Sequence, residues 1–384
     1  MDFSLSRKQE AFRTEIREFL SSEVPADISV EDGWISGYSP EFSRKLGRQG
    51  WIGLTWPKQY GGQEKSYLDR LILTEELLRA GAPVAAHWLG DRQVGPALLA
   101  YGSEDQKQEI LPQVCKGEIV FCLGMSEPDS GSDLASLRTR AEEEGDHYRL
   151  NGQKIWTSFA HVADYAYLVV RTDPDAPKHK GISEFIVDMK TPGIDVRPLI
   201  DVTGEHHFNE VFFENVKVPK DRMIGKKNRG WYQIASQLDY ERSGIERLLS
   251  NYRLFKDAIC YAKEQGLTKD PLVRDTLAQL QIELDLGRSM VYKVAWYLTQ
   301  KIVPNYEAAM AKCFCTEVEQ RIAKFVSELL GDYAVLMPDS PHARLAGRAA
   351  RGYLYAPAYT MQGGTSNILR NIIAIRGLGL QPGR

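Results

Sequence analysis

Two runs decide how this chain reads: Leu123-Gly-Met-Ser-Glu-Pro-Asp-Ser-Gly-Ser-Asp133 and, shortly after it, Asn151-Gly-Gln-Lys-Ile-Trp-Thr-Ser158. Ser, Asp and Gly in the first favour tight turns that present backbone N–H groups and hydroxyls. The second is strand-like and sets the flat indole of Trp156 beside Thr157 and Ser158. Turn donors next to an indole suit a planar, phosphorylated ligand. Composition alone favours a plainer reading, an ordinary loop and hairpin with a core tryptophan.

Around these runs, from about Ile119 to Pro219, the hydrophobic period is that of strands. Ala166-Tyr-Leu-Val-Val-Arg171, Phe185-Ile-Val-Asp188 and Asn209-Glu-Val-Phe-Phe213 are β-branched and aromatic, and Gly, Pro and Asn turns separate them. This predicts a compact antiparallel β domain. On the N-terminal side the period is helical: Phe12, Ile16, Phe19 and Leu20 share one face, and Leu71, Glu75 and Leu78 share another. Ser103-Glu-Asp-Gln is a capping box that opens a further helix towards Val114. On the C-terminal side longer helices are expected over roughly 230–265, 271–301 and 305–330, with shorter ones near 344–355 and 366–376. Leu277, Leu280, Leu284 and Gly287 form a stripe suited to a bundle seam. Ser366 would cap the last helix after the Gly363-Gly364 turn. The expected fold class is α+β: an all-α N-terminal domain (1–118), a small antiparallel β middle domain (119–227) and a C-terminal four-helix bundle (228–384).

At 384 residues, 43% of them hydrophobic, the chain can bury a large core. A net charge of −3 with Lys and Arg scattered argues against nucleic acid as a partner. There is no signal-like N-terminus and no run long enough for a membrane span, so a cytoplasmic protein is expected. Cys115, Cys122, Cys260, Cys313 and Cys315 are few, odd in number and mostly in apolar surroundings, which predicts reduced core thiols.

The first run resembles the T-E-P-x-x-G-S-D signature of the acyl-CoA dehydrogenase family, and the second resembles its N-G-x-K-x-W-x-[ST] element, at the family's distance. The resemblance extends from Met1 to about Leu380 and implies FAD as cofactor, with the isoalloxazine ring against the β domain. Carried over position by position, Leu123, Met125 and Ser126 would line the ring edge. Ser126 stands where the family usually has Thr, which keeps the hydroxyl. Trp156 and Ser158 would contact the flavin's other side, and Ser132 would lie near the pantetheine or phosphate of a bound thioester. Thr365 and Asn367, in Gly363-Gly-Thr-Ser-Asn-Ile368, match the family's G-T-x-x-I element beside the flavin.

Removing hydrogen from the α and β carbons of an acyl thioester needs a base for the α proton and an acceptor for the β hydride. The flavin is the acceptor, so the protein supplies the base. In many members that base is a Glu immediately before the G-T dipeptide, but here the position is Gly363. A second group of members carries it on the first long C-terminal helix, where Leu238-Asp-Tyr-Glu-Arg242 makes Glu241 the candidate. Arg242 would orient it, and Asp239, Arg242, Ser132, Gly363 and Gly364 are the candidate substrate contacts. Without the family, Glu241 and Arg242 read as a solvated helix face.

The chain departs from the family in lacking both the R-x-x-F-G element after the first long helix and the Q-x-x-G-G element before the last loop. Those elements hold the FAD pyrophosphate and adenine of the neighbouring subunit. The departures resemble the subfamily of pimeloyl-CoA and steroid-side-chain acyl-CoA dehydrogenases. They leave open a homotetramer with substitute contacts or a heterotetramer with a related chain.

Three functions are weighed. The first is an FAD-dependent dehydrogenase that yields a trans-2-enoyl-CoA and passes electrons to an electron-transfer flavoprotein. The second is a non-catalytic or half-site subunit of a heteromer. The third is an acyl-CoA oxidase reoxidised by dioxygen. Tyr240, Tyr333, Tyr353, Tyr355, Tyr359 and Met361 are candidates for an acyl pocket, though aromatic residues at helical spacing are more often core.

Overall fold

A computed structural model gives the fold for residues 4–25, 29–241 and 244–381, with backbone alone for 236–241. Its helices are α1 (Arg7–Glu23), α2 (Pro40–Arg48), α3 (Tyr67–Arg79), α4 (Ala85–Leu89), α5 (Gly95–Tyr101), α6 (Glu104–Lys116), α7 (Gly230–Glu241), α8 (Glu246–Leu249), α9 (Tyr252–Glu264), α10 (Pro271–Thr299), α11 (Tyr306–Leu330), α12 (Arg348–Tyr359) and α13 (Ser366–Ile372). Its strands are β1 (Phe121–Gly124), β2 (Arg140–Glu144), β3 (His147–Lys154), β4 (Tyr165–Arg171), β5 (Ile182–Asp188), β6 (Ile194–Leu199), β7 (Phe208–Pro219) and β8 (Met223–Ile224). Helices, then a β block, then helices is the order the sequence predicts. The chain divides into two compact units. One comprises Met1–Gly37, Ser66–Pro83 and Asp239–Arg384, and the other Tyr38–Lys65 and Val84–Leu238.

The second unit holds the whole sheet, in the order β6-β7-β3-β2-β4-β5-β8, with β1 added beside β4. Most pairs are antiparallel, as expected, but β1 and β2 each run parallel to β4. The buried side chains of β4, including Leu168 and Val170, join Leu150, Phe185, Val211 and Phe213 in one core. Strand β7 shows how register is set. Asn209, Val211 and Phe213 point inward, then the parity switches to Val216 and Val218. The switch sits opposite an irregularity between Leu150 and Gly152 on β3. There Asn215 adopts φ +52° and its N–H donates to Asn151 Oδ1 at 2.8 Å. A bulge thus lets one long strand keep its apolar residues inward on both sides of a bend. Gly152, at φ +149°, is required at this point, because a Cβ would lie 2.7 Å from Thr139 Cα.

In the first unit the predicted bundle seam is buried: Leu277, Leu280, Leu284 and Gly287 lie inward on α10, which packs on α3 and α11. Gly287 permits the close approach, since a Cβ there would meet Leu248 Cδ1 at 2.8 Å and Cys315 Sγ at 3.1 Å. Glu75, on the apolar stripe of α3, is fully buried. Arg288 forks onto it at 2.6 and 3.0 Å, Arg79 approaches at 2.9 Å and the Tyr292 hydroxyl donates at 2.8 Å.

The structure corrects three local readings. The helix expected over 230–265 is broken into α7, α8 and α9. At Asn251 (φ −106°, ψ 13°) the backbone N–H donates to Glu319 Oε2 at 2.7 Å instead of to a helical carbonyl, which ends α8. The helix expected at 344–355 begins only at Arg348, because Leu345 and Ala346 are left-handed (φ +50° and +54°). The last helix is capped by Thr365 and not Ser366: the Thr365 hydroxyl accepts from the Ile368 N–H at 3.2 Å, making Ser366 its first residue. Among the cysteines, Cys115, Cys122, Cys313 and Cys315 are buried thiols and Cys260 is exposed. Among the described residues no helix is long and apolar enough to cross a membrane.

Candidate active site

The two signature runs meet in the sheet unit. β1 delivers Leu123, and the chain then leaves the sheet through Met125 and Ser126, all three half-buried. β3 delivers Lys154, after which the Ile155 N–H donates to Ser126 O at 2.9 Å. This single bond lays the Ser126 segment against Trp156. Trp156 is 57% exposed, in a left-handed conformation of φ +58°, with Phe208 edge-on at 5.8 Å. A non-glycine residue in that conformation is strained, and here the strain turns an indole face outward.

The loop that follows is laced to the start of β7. The Thr157 N–H donates to Asn209 O at 3.0 Å, Asn209 Nδ2 returns a bond to Thr157 O at 3.0 Å, and the Phe159 N–H donates to His207 O at 2.7 Å. Ser158, half-buried, is held within this lacing. Ser132 is not beside these residues in the chain's path. It lies exposed beyond a tight turn in which Glu127 and Ser130 exchange backbone bonds at 3.0 Å, next to Asp133, which is paired with Lys178 at 2.7 Å.

Beneath the turn sits a buried ion pair that the sequence reading did not single out. Lys154 is wholly buried, and its Nζ donates to Glu127 Oε1 at 2.8 Å and to Met125 O at 3.0 Å. The Glu127 carboxylate also accepts from the Arg138 and Thr139 N–H groups at 2.6 and 2.9 Å. Burial pulls the Lys154 ammonium down to about 8, with Glu127 opposing that fall. Burial pushes the Glu127 carboxyl up, but Lys154 and the donors around it outweigh this and hold it below the ordinary carboxylate range. The only sequence signal was the quoted Lys of N-G-Q-K, on a strand position that alternation turns inward.

In the other unit the Gly363-Gly364 turn has φ +67° and +99°, backbone that suits glycine. The buried Lys312 of α11 donates to Gly364 O at 2.8 Å and to Tyr359 O at 3.1 Å. Thr365 follows as the cap of α13, and Asn367 is exposed on its first turn. Glu241 is the last residue of α7, and for it and Asp239 only the backbone is described; Arg242 lies outside the described residues. Of the aromatic pocket candidates, Tyr355 and Tyr359 are core, the Tyr359 hydroxyl donating to the buried Asp32 at 2.6 Å, whereas Tyr333, Tyr353 and Met361 are exposed. The Tyr240 side chain lies outside the description.

The sheet-unit residues fit a flavin. They offer an outward aromatic face, hydroxyls at Ser126 and Ser158, and the Thr157 hydroxyl oxygen, buried without a hydrogen-bond partner among the described residues. Bound there, FAD would supply the hydride acceptor, and Ser126, Trp156 and Ser158 are the residues that would hold it.

Comparison with known proteins agrees over the whole chain. Models of the acyl-CoA dehydrogenase N-terminal, middle and C-terminal domains match residues 6–118, 122–216 and 228–378. Acyl-CoA dehydrogenase FadE26 of Mycobacterium tuberculosis is 34% identical, with 99% of each chain covered. A solved structure described as the Tcur3481-Tcur3483 steroid ACAD superposes with a TM-score of 0.92 at 34% identity, all of both chains covered. The ChsE4-ChsE5 complex from Mycobacterium tuberculosis gives 0.89 at 34% identity, again over all of both chains. With both signature runs intact, the helix–sheet–helix order in place and relatives aligned from end to end, the chain belongs to the acyl-CoA dehydrogenase family, oxidoreductases that use FAD.

Proposed function

We propose that the chain catalyses α,β-dehydrogenation of an acyl-CoA thioester to the trans-2-enoyl-CoA, with Glu241 taking the α proton and FAD taking the β hydride. The observation that carries this is the joined signature in the sheet unit: Ser126 bonded to the Trp156 segment, with an outward indole and hydroxyls around it. Arg242 and Asp239 orient the base and the thioester, and Ser132, Gly363 and Gly364 contact the substrate. Leu123, Met125, Thr365 and Asn367 complete the cofactor contacts. The conformation of Gly363 supports Glu241 as the base, because a glutamate at 363 would have to adopt φ +67°. An electron-transfer flavoprotein receives the electrons. The steroid relatives motivate a bulky, alicyclic acyl group as the first substrate class to test.

The experiment is anaerobic mixing of the FAD-loaded protein with straight-chain, branched, dicarboxylic and steroid-side-chain acyl-CoAs, following loss of the visible flavin band. Glu241→Gln is expected to abolish bleaching while FAD stays bound. Full bleaching in that variant removes the assignment. Peroxide released in turnover would favour the oxidase reading.

A heteromeric assembly is the second reading. The absent R-x-x-F-G and Q-x-x-G-G elements favour it, and one solved relative is itself described as a ChsE4-ChsE5 complex. Expressed alone, such a subunit holds well under one FAD per chain, and FAD rises on co-expression with its partner. Near one FAD per chain in the isolated protein sinks this reading.

A further inference from the structure

Each unit contains a lysine buried to the last few per cent, and the two make the same contact. Lys154, 0% exposed, donates to the carbonyl of Met125, and Lys312, 1% exposed, donates to the carbonyl of Gly364. A peptide carbonyl shares its amide plane with the N–H of the next residue. The peptides held in this way are Met125–Ser126 and Gly364–Thr365, so the N–H groups involved are those of Ser126 and Thr365. These are the hydroxyl residues of the two cofactor-contacting elements. Among the described residues neither N–H donates to a protein acceptor. An ammonium on the carbonyl draws electron density through the amide and makes that N–H a stronger donor, by the same polarisation that strengthens successive bonds in a hydrogen-bonded chain.

We propose that Lys154 and Lys312 are positioning residues that tune the flavin: each orients one peptide, and polarises it, so that its N–H favours the electron-rich reduced ring over the oxidised one. The inference rests on the reading that Ser126 and Thr365 contact the flavin.

The sheet-unit lysine is anchored for this task. Glu127 fixes the ammonium from one side, while Glu127 is itself fixed by the Arg138 and Thr139 amides. Thr139 Oγ1 donates to Gln153 O at 3.2 Å, tying the same loop to β3 next to Lys154. In the helical unit Lys312 bridges two carbonyls, Tyr359 O at the end of α12 and Gly364 O in the turn before α13. It therefore fixes the glycine turn as well as polarising it.

The test uses the FAD-loaded protein, together with its partner chain if FAD binding requires one, and measures the two-electron flavin potential of wild type, Lys154→Met and Thr139→Val. Lys154→Met removes the charge and keeps the stem. Thr139→Val loosens the same loop without touching the charge. Lys154→Met is expected to weaken stabilisation of reduced over oxidised flavin about tenfold, a shift of about 30 mV to more negative potential. Thr139→Val is expected to change that ratio less than about twofold, even where it lowers the melting temperature as much. Equal shifts in the two variants, or no shift in Lys154→Met, overturn the proposal.

Lys312→Met is expected to shift the potential in the same direction. If either lysine variant fails to fold, the other decides. Trp156→Leu separates the two levels of the argument. If it leaves FAD retention and the flavin spectrum as in wild type, the flavin placement itself falls, whatever the lysine variants do.

Discussion

The carboxylate of Glu75 gives a sharp test of how the first unit is held together. It is fully buried, yet four groups surround it: Arg288 in a two-point fork, Arg79 at 2.9 Å, the Tyr292 hydroxyl at 2.8 Å and Arg13 at 3.9 Å. Burial pushes its pKa up, but the Arg288 and Arg79 interactions outweigh that and leave it below the ordinary carboxylate range. Glu75→Gln keeps the shape and removes the charge, leaving three guanidinium groups facing one another. Breaking a buried pair from one side costs about 3–5 kcal/mol. Arg79 and Arg288 are each 32% exposed, so water relieves part of this and the lower end, about 3 kcal/mol, is expected. For a chain of this length that corresponds to a fall in melting temperature of about 4 °C.

The assay is thermal and urea unfolding followed by circular dichroism, repeated in an Arg288→Met background. There the Glu75→Gln cost should shrink by at least about 1 kcal/mol, because one unpaired charge has already gone. The pH dependence has a fixed sign. A carboxylate whose folded pKa is depressed stabilises above its unfolded value and loses that contribution as pH falls through the folded value. Wild type should therefore lose stability in acid more steeply than Glu75→Gln. A cost under about 1 kcal/mol, or strict additivity with Arg288→Met, would refute the idea that this carboxylate organises the arginines.

Two further outcomes follow from the same unit. Asp32 is buried and its carboxyl is raised to about 6, chiefly by burial, with Arg351, Tyr359 and Ser250 pulling it back. A raised folded value means stability is present below the unfolded value, near 3.8, and lost as pH rises through 6; relative to Asp32→Asn, wild type should thus lose about 3 kcal/mol between pH 4 and pH 8 in urea titrations. A flat difference across that window would show that the hydroxyl bonds cancel the burial. Gly287→Ala inserts a methyl against Leu248 and Cys315 and should cost about 1–3 kcal/mol, read as a lower melting temperature, whereas no change would mean that α10 shifts freely on α11.

The fold was largely legible because its elements obey local rules. The capping box at Ser103 opens α6, and the α10 stripe is the seam it suggested. One error came where a long-range contact overrode a local pattern, and the other two, the left-handed Leu345 and Ala346 and the cap at Thr365, lie in backbone dihedrals and cap choice that periodicity does not report. Asn251 gives its N–H to Glu319, 68 residues away, and this breaks a helix that periodicity would continue. Glu75 sits on an apolar stripe because its partner Arg288 lies 213 residues further along the chain.

The candidate site shows the same division. Trp156 and Ser126 are visible in the sequence because they belong to runs of distinctive composition. The two lysines beneath the candidate cofactor turns are not, because Lys154 sits on an ordinary strand and Lys312 in the middle of a helix, where an isolated lysine reads as a solvated charge. Only the fold shows that both are dry and that each ends on a carbonyl one residue before a hydroxyl residue. A dry ammonium is costly unless its donors are satisfied. Retaining two of them under glycine-bearing turns is the arrangement expected if the peptides above them have a task beyond closing a loop. Were that task only to hold the turns, a neutral donor such as Gln at 154 would serve as well, and the flavin potential would not register the exchange.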